Sequence, residues 1–298
     1  MSDVLIVLSG SRKQWQNYRS FVGSVGPRLL QTMAVRAIVV GGYSEHPRAV
    51  REIISRCRQH DVSVFFWAIG ATGTNPWAQE WEEIQQEHPP ARQLAPDTAD
   101  FVLDPCLAPT TQRLEALHQL RALHPTACWL RSGLTETATA CAHALNFPNV
   151  VAFNGLPGLF GILDSLEIAP ALTASEEALQ AATTFFTSLG FRTEIVQDRI
   201  GLVIPRILAM LVNEGAFSVL ERVADPNDID TAMRLAMNYP KGILQWADDV
   251  GLDTVVAILD ALYTEYHQER YRACVLLRQY VRARRLGRHV GHGFHRYG

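Results

Sequence analysis

The sequence predicts an α/β region over residues 1–197 followed by an all-α region over 198–298. Three observations predict this. Short apolar runs alternate with polar or amphipathic stretches as far as Phe153, the pattern of parallel strands joined by crossover helices. Beyond Ala174 the apolar residues recur mostly at three-to-four spacing, with one strand-like exception. The chain has 298 residues, 48% hydrophobic and 19% charged, which suits about two domains with buried cores rather than a disordered chain.

In order, residues 4–8 (Val-Leu-Ile-Val-Leu) read as a buried strand, and Ser9-Gly10-Ser11 turns into a polar, helix-compatible stretch from Lys13 to Phe21. Gly23 to Pro27 is a loop. Residues 35–40 form a strand that ends at Gly41-Gly42. Pro47 opens a helix whose apolar positions are Ala49, Val50, Ile53, Ile54 and Cys57. Strands follow at 62–67, 101–103, 127–130 and 150–153, with a short helix through Trp81 and Ile84 and longer ones at 110–124 and 135–145. Pro89-Pro90 breaks the short helix. The alternation is a doubly wound, Rossmann-like layout. The exception in the later part is Thr193-Glu194-Ile195-Val196, and the boundary falls near 198.

From Asp198 to Tyr239 the chain reads as a long buried helix, a short loop and a second helix. Ile207, Met210, Leu211, Phe217 and Leu220 supply the apolar stripe of the first, and Pro205 fits its first turn, where no N–H is needed. Asp225-Pro226-Asn227-Asp228 is a turn and an N-cap.

The net charge of −3 gives no basis for nucleic-acid binding, and no apolar run approaches the roughly 20 residues that span a bilayer. The amino end lacks the pattern of a signal peptide. Five cysteines without a Cys-x-x-Cys pair read as reduced core thiols, so a cytoplasmic location is expected, with no metal site. His289, His292 and His295 recur at steps of three, but Gly291 and Gly293 disfavour the helix that would make them a metal site. His118, His124 and His143 read as ordinary helix histidines. Eight arginines between Arg270 and Arg296 form either a solvated face or an electropositive patch for phosphates or an acidic partner.

The later region carries a set of ordered motifs: Asn213-Glu214, Asp228-Ile229-Asp230-Thr231-Ala232-Met233, Asn238-Tyr239-Pro240-Lys241-Gly242 and Trp246-Ala247-Asp248. They continue as Gly251-Leu252-Asp253, Glu269-Arg270-Tyr271-Arg272, Leu276-Leu277-Arg278 and Leu286-Gly287-Arg288-His289-Val290-Gly291-His292-Gly293-Phe294. In these motifs the chain resembles the C-terminal domain of the 3-hydroxyacyl-CoA dehydrogenase family, over residues 166–298 well and 98–165 loosely. The resemblance implies a Rossmann-like domain plus a helical domain of the 6-phosphogluconate dehydrogenase C-terminal type. It also implies an acyl-CoA ligand, NAD as cofactor, a homodimer built through the helical domain, and interconversion of 3-hydroxyacyl-CoA and 3-oxoacyl-CoA.

The site residues depart from that family's pattern. A dinucleotide site needs Gly-x-Gly-x-x-Gly after a strand. Gly41-Gly42-Tyr43-Ser44-Glu45-His46 has the right context but offers only Gly41 and Gly42, and Gly10-Ser11-Arg12-Lys13 matches no better. The next strand ends in Phe65-Phe66-Trp67 where a ribose-binding carboxylate belongs. In Val150-Val151-Ala152-Phe153-Asn154-Gly155-Leu156-Pro157 the position of the family's histidine base holds Asn154, whose amide does not accept a full proton near neutral pH. The resemblance assigns the orienting glutamate to Glu167, one residue out of register, and the substrate-positioning hydroxyl to Ser132 or Thr135. The family's asparagine falls at Pro205. Weak or lost dehydrogenase activity is therefore expected. A non-catalytic acyl-CoA-binding or assembly subunit is the alternative, and different chemistry with Glu167 as acid/base is a third option.

Overall fold

The computed structural model describes residues 35–42, 47–69, 77–107, 110–160 and 163–298. The strand expected at 4–8, the stretch 13–21, the loop from Gly23 to Pro27, the turn Tyr43-Ser44-Glu45-His46 and the irregular segment 70–76 lie outside the described residues.

Among the described residues, the first part is a seven-stranded sheet in the order β2-β1-β3-β4-β5-β6-β7. Its strands are β1 (Arg36–Gly42), β2 (Ser63–Ile69), β3 (Phe101–Asp104), β4 (Cys128–Ser132), β5 (Val150–Phe153), β6 (Ser165–Pro170) and β7 (Arg192–Ile195). Interspersed are α1 (Arg48–Gln59), α2 (Ala78–Glu87), α3 (Thr111–Leu123), α4 (Ala138–Leu145) and α5 (Glu176–Ser188). All pairings are parallel except β5 with β6. Strands buried on both faces explain the unbroken apolar runs: all four residues of β3 and all four of β5 are buried. Two apolar layers flank the sheet, one around Val39, Phe101, Phe153 and Phe185, the other around Ile38, Val102, Trp129 and Ala152. This is a Rossmann-like sheet. β6 is a strand that the apolar pattern of the sequence does not separate out.

Helix starts follow their capping residues. Thr110, Thr137 and Ser175 accept from the N–H groups of Arg113, Ala140 and Ala178 at 3.2, 3.1 and 3.3 Å. Asp225 likewise accepts from Asn227 and Asp228 at 2.9 and 3.0 Å, which starts the second helix of the helical half.

That half comprises α6 (Ile204–Leu220), α7 (Pro226–Met237), α8 (Ile243–Val250), α9 (Leu252–Tyr266) and α10 (Val275–Arg282). Pro205 sits in the first turn of α6. The buried face of α6 is not the one expected. Leu208, Ala209, Val212, Gly215 and Ala216 face the core, while Ile207 is 52% and Leu220 43% exposed and Met210, Leu211 and Phe217 only flank it. Small residues decide this. A Cβ on Gly215 would lie 3.0 Å from Ile243 Cδ1 and from Leu244 Cδ2, so α8 packs directly on the α6 backbone.

The motif residues of this half satisfy buried backbone groups. Asp230 accepts from Leu244 N at 2.8 Å and Gln245 N at 3.1 Å, and its Oδ2 is 2.8 Å from His295 Nε2. Asp248 accepts from Phe294 N, His295 N and the Tyr297 hydroxyl at 2.8, 2.8 and 2.9 Å. A Cβ on Gly293 would fall 1.9 Å from Asp248 Oδ1, so only glycine lets the C-terminal segment lie against this carboxylate. Asn213 donates to Arg272 O at 3.0 Å and accepts from Cys274 N at 2.8 Å. Several of the eight arginines are engaged: Arg272 with Glu269, Arg278 with Asp260, and Arg288 with Asp249. Among the described residues, no helix is long and apolar enough to cross a membrane.

Candidate active-site cleft

The turns after β4 and β5 lie where the two halves meet. Leu134 and Leu156, just beyond those strands, belong to the same apolar cluster as α6, α8 and α9. Antiparallel pairing of β5 with β6 puts Phe153 opposite Ile168, and the next pair in that register is Asn154 with Glu167. Asn154 N donates to Glu167 O at 3.0 Å, and Asn154 Nδ2 donates to Glu167 Oε2 at 3.3 Å. This cross-strand register is what brings the two side chains together.

Both ends of the Asn154 side chain are used, because its Oδ1 also accepts from Leu156 N at 3.2 Å. Asn154 is fully buried and Glu167 is 5% exposed. Glu167 also caps α6, since its Oε1 and Oε2 accept from Ile204 N at 2.9 and 3.2 Å. Burial raises the Glu167 carboxyl above the usual carboxylate range, and the hydrogen bonds from Ile204, Val203 and Asn154 only partly oppose it.

Ser132 and Thr135 part ways. Ser132 Oγ lies 3.1 Å from the position a Cβ on Gly155 would take, next to Asn154, and is buried without a hydrogen-bond partner. Thr135 instead donates to Leu107 O at 2.6 Å, pinning the segment after β3. The structure therefore brings Asn154, Glu167 and Ser132 together and leaves Thr135 with a structural contact. Among the described residues no histidine hydrogen-bonds Glu167.

The sheet topology sets aside a second region. The chain leaves β1 toward β2 on one side and returns to β3 on the other, so the crevice at the carboxyl ends of β1 and β3 is the switch point where such sheets take a dinucleotide. The described residues here do not supply the groups that a dinucleotide site uses. A Cβ on Gly41 would meet Trp81 at 2.5 Å and Phe66 at 2.6 Å, so this glycine serves aromatic packing. Among the described residues, a Cβ on Gly42 would meet Cys106 Sγ, at 3.8 Å, so Gly42 is less tightly packed than Gly41. β2 carries no carboxylate along its length, and Trp67 on it lies beneath the Arg92 guanidinium.

Sequence reasoning missed the charged group at this crevice. Arg131, at the end of β4, reaches over the end of β3. It donates to Cys106 O, lies 3.6 Å from Asp104 Oδ2, and donates through Nε to Glu136 at 3.2 Å. Arg113 pairs with the same Asp104. Burial pushes the Asp104 carboxyl up, but the two guanidinium groups outweigh it and hold the carboxyl below its ordinary range. A visible signal was the arginine inside the otherwise apolar strand Cys128-Trp129-Leu130-Arg131.

The family model for the 3-hydroxyacyl-CoA dehydrogenase C-terminal domain matches residues 201–297. A probable 3-hydroxybutyryl-CoA dehydrogenase of Bacillus subtilis is 32% identical over 67% of this chain and 70% of its own length. One from Deinococcus radiodurans is 35% identical over 55% of this chain and 58% of its own length. Among solved structures, the (S)-3-hydroxybutyryl-CoA dehydrogenase of Ralstonia eutropha shares the fold with a TM-score of 0.68 at 22% identity, covering 89% of this chain and 100% of that one.

Proposed function

The chain belongs to the 3-hydroxyacyl-CoA dehydrogenase family, and we propose that it binds an acyl-CoA thioester between its two halves, in the cytoplasm, with the dehydrogenase reaction weak or lost. One observation carries this reading: Asn154, not a titratable group, holds the hydrogen bond to Glu167. Removing the 3-hydroxyl proton as hydride departs calls for a base with a pKa near the working pH, and a carboxamide has none. Glu167 does not take over that role, because its oxygens serve Asn154 and the α6 amino end. The buried Ser132 hydroxyl supports ligand binding: a thioester or 3-oxo oxygen would supply the partner it lacks.

The test is calorimetric titration with acetoacetyl-CoA, together with an assay of its NADH-dependent reduction. Saturable binding is expected, with turnover at least about a hundredfold below that of a histidine-bearing relative, since positioned acid–base groups contribute roughly 10²–10⁴-fold. Turnover within tenfold of such a relative overturns the loss of chemistry, and absence of binding overturns the ligand.

An assembly role has its own support. Ile207, Leu235 and Met237 are 52%, 81% and 54% exposed, and α7 buries only Asp230. A helix left so open has its apolar side chains free for a second copy of the chain, so a homodimer through α6 and α7 belongs to the same proposal.

A further inference from the structure

The segment that joins the two halves is tied down on one face of the sheet. Asp198 accepts from Ala138 N, Thr139 N and the Thr139 hydroxyl at 2.7, 2.8 and 2.6 Å, which seats it on the start of α4. Gly201 N donates to Gly133 O at 2.8 Å. Leu202 is buried in the same apolar layer as α4, and a Cβ on Gly133 would lie 3.1 Å from its Cδ2. α1 belongs to the opposite layer, through Val50, Ile53 and Ile54. There a second set of contacts joins the halves. Arg48, in the first turn of α1, donates to the backbone carbonyl of Asp249 in α8 and, at 3.0 Å, to Glu52. Glu52 accepts from Gly158 N at 2.8 and 2.9 Å. The turn that holds Gly158 is wedged into the helical half, since Leu156 and Leu159 belong to that half's apolar cluster. Gly158 has a φ of +78°, and a Cβ there would collide with the Arg48 guanidinium and the Asp249 carbonyl, so α1, α8 and this turn meet at a point that glycine alone fits. Trp77, packed against the same layer as α1, lies beside His289 of the C-terminal segment, with ring centroids 6.0 Å apart.

We infer that the two halves are fastened on both faces of the sheet, with Arg48 and Glu52 as the second fastening, so that the cleft between them keeps one shape and takes a ligand without a closing motion. A hinge motion about the joining segment would displace α8 against α1. If the Gly158 turn follows α8, a shift of about 1 Å carries its 2.8 Å bond to Glu52 beyond hydrogen-bond range. If the turn stays with α1, Arg48 loses the Asp249 carbonyl, and Leu156 and Leu159 leave their cluster. Either way a charged side chain gives up a bond that no small rotation replaces. The turn begins at Asn154, four residues before Gly158, so Arg48 and Glu52 are positioning residues for that side of the site. The fastening concerns the joint alone and stands whether or not a thioester binds.

The experiment measures the distance between the halves in the full chain by pulsed electron–electron double resonance. Spin labels go on Ser55→Cys in α1 and Glu265→Cys in α9, both exposed, while the five native cysteines are buried. Labelled chain is diluted into unlabelled chain so that only distances within one copy are read. One narrow distance is expected, unchanged by acetoacetyl-CoA at saturation, and a broad or two-peaked distribution once Arg48→Ala and Glu52→Ala are added. Amide exchange at Gly158 is read alongside: it should quicken about tenfold or more in Glu52→Ala alone, and less in Glu52→Gln, which keeps an acceptor oxygen. A broad distance with the fastening intact, or a distance that acetoacetyl-CoA shifts, overturns the inference. A narrow distance in the double variant with Gly158 exchange unchanged overturns the part given to Arg48 and Glu52. Absence of acetoacetyl-CoA binding overturns the acyl-CoA reading, and the ligand-free distances still decide the fastening.

Discussion

Replacing Asp104 by asparagine tests the charged cluster at the crevice. Asp104 is 2% exposed, and its partners Arg113 and Arg131 are 4% and 2% exposed. Two cations face two anions here, Asp104 and Glu136, so D104N leaves one uncompensated positive charge in the interior. Removing one partner of a buried pair costs about 3–5 kcal/mol. At roughly 2–4 °C per kcal/mol for a chain of this order of size, Tm falls by roughly 6–20 °C. Urea unfolding followed by circular dichroism gives the free energy, and scanning calorimetry gives Tm. A D104N loss under about 1 kcal/mol would refute the cluster as a buried, desolvated unit.

The pH dependence carries a second check. The folded-state carboxyl of Asp104 lies below its ordinary value, so its contribution is complete above the unfolded value of about 3.9 and is lost as pH falls through the lower folded value. The stability gap between wild type and D104N is therefore constant near neutrality and narrows below about pH 4. A gap that stays constant into acid would mean that the carboxylate charge is not what stabilises the cluster.

Asp230→Ala removes two backbone bonds at the α8 start and the His295 contact, and is expected to cost about 2–3 kcal/mol in urea unfolding; an unchanged midpoint would contradict the anchoring role. Ile207→Asp places a charge on an exposed apolar position of α6, so sedimentation should shift from dimer to monomer with the far-ultraviolet spectrum intact; a monomeric wild type, or a variant that stays dimeric, rules out that face. Asn154→His restores an imidazole beside Glu167, and NMR titration should place its pKa above the ordinary 6.5 or so through the neighbouring carboxylate. NADH-dependent turnover is expected to stay far below that of a histidine-bearing relative, because the described residues at the crevice lack the groups of a dinucleotide site; a gain of about a hundredfold would show that the missing base was the sole obstacle.

Much of the fold was legible because its signals are local. Apolar runs bounded by turn residues located β1 to β5, and Thr110 and Asp225 marked helix starts through bonds to N–H groups two or three residues on, while the helix expected from Thr135 is capped by Thr137. β6 escaped because Ser165–Pro170 has one neighbour antiparallel and ends in a proline, so it lacks the strand–helix–strand rhythm that exposed the others. The face of α6 was misjudged because hydrophobicity was read without size. Large residues such as Ile207 look like core, but the close approach of α8 selects Ala209, Gly215 and Ala216. The Asp104 cluster draws on β3, α3 and β4, and no local period links residues so far apart in the chain.

Glu167 shows why a family-like residue need not carry the family's chemistry. In this chain its carboxylate closes the amino end of α6 and holds Asn154, so the joint between sheet and helices depends on it whether or not a proton ever moves there. The same holds for Asp230 and Asp248, whose oxygens are taken up by backbone N–H groups. The motifs that identify the family in the helical half are thus largely rules for ending helices and seating the C-terminal segment. They remain physically necessary in a chain that has no base at position 154. The Ser132 hydroxyl has no such structural duty, since it lacks a partner inside the protein, whereas at position 154 an amide replaces a titratable ring and both its ends are taken up by Glu167 and Leu156 N. A hydroxyl kept beside an inert amide suits a cleft that recognises a carbonyl oxygen without abstracting a proton next to it.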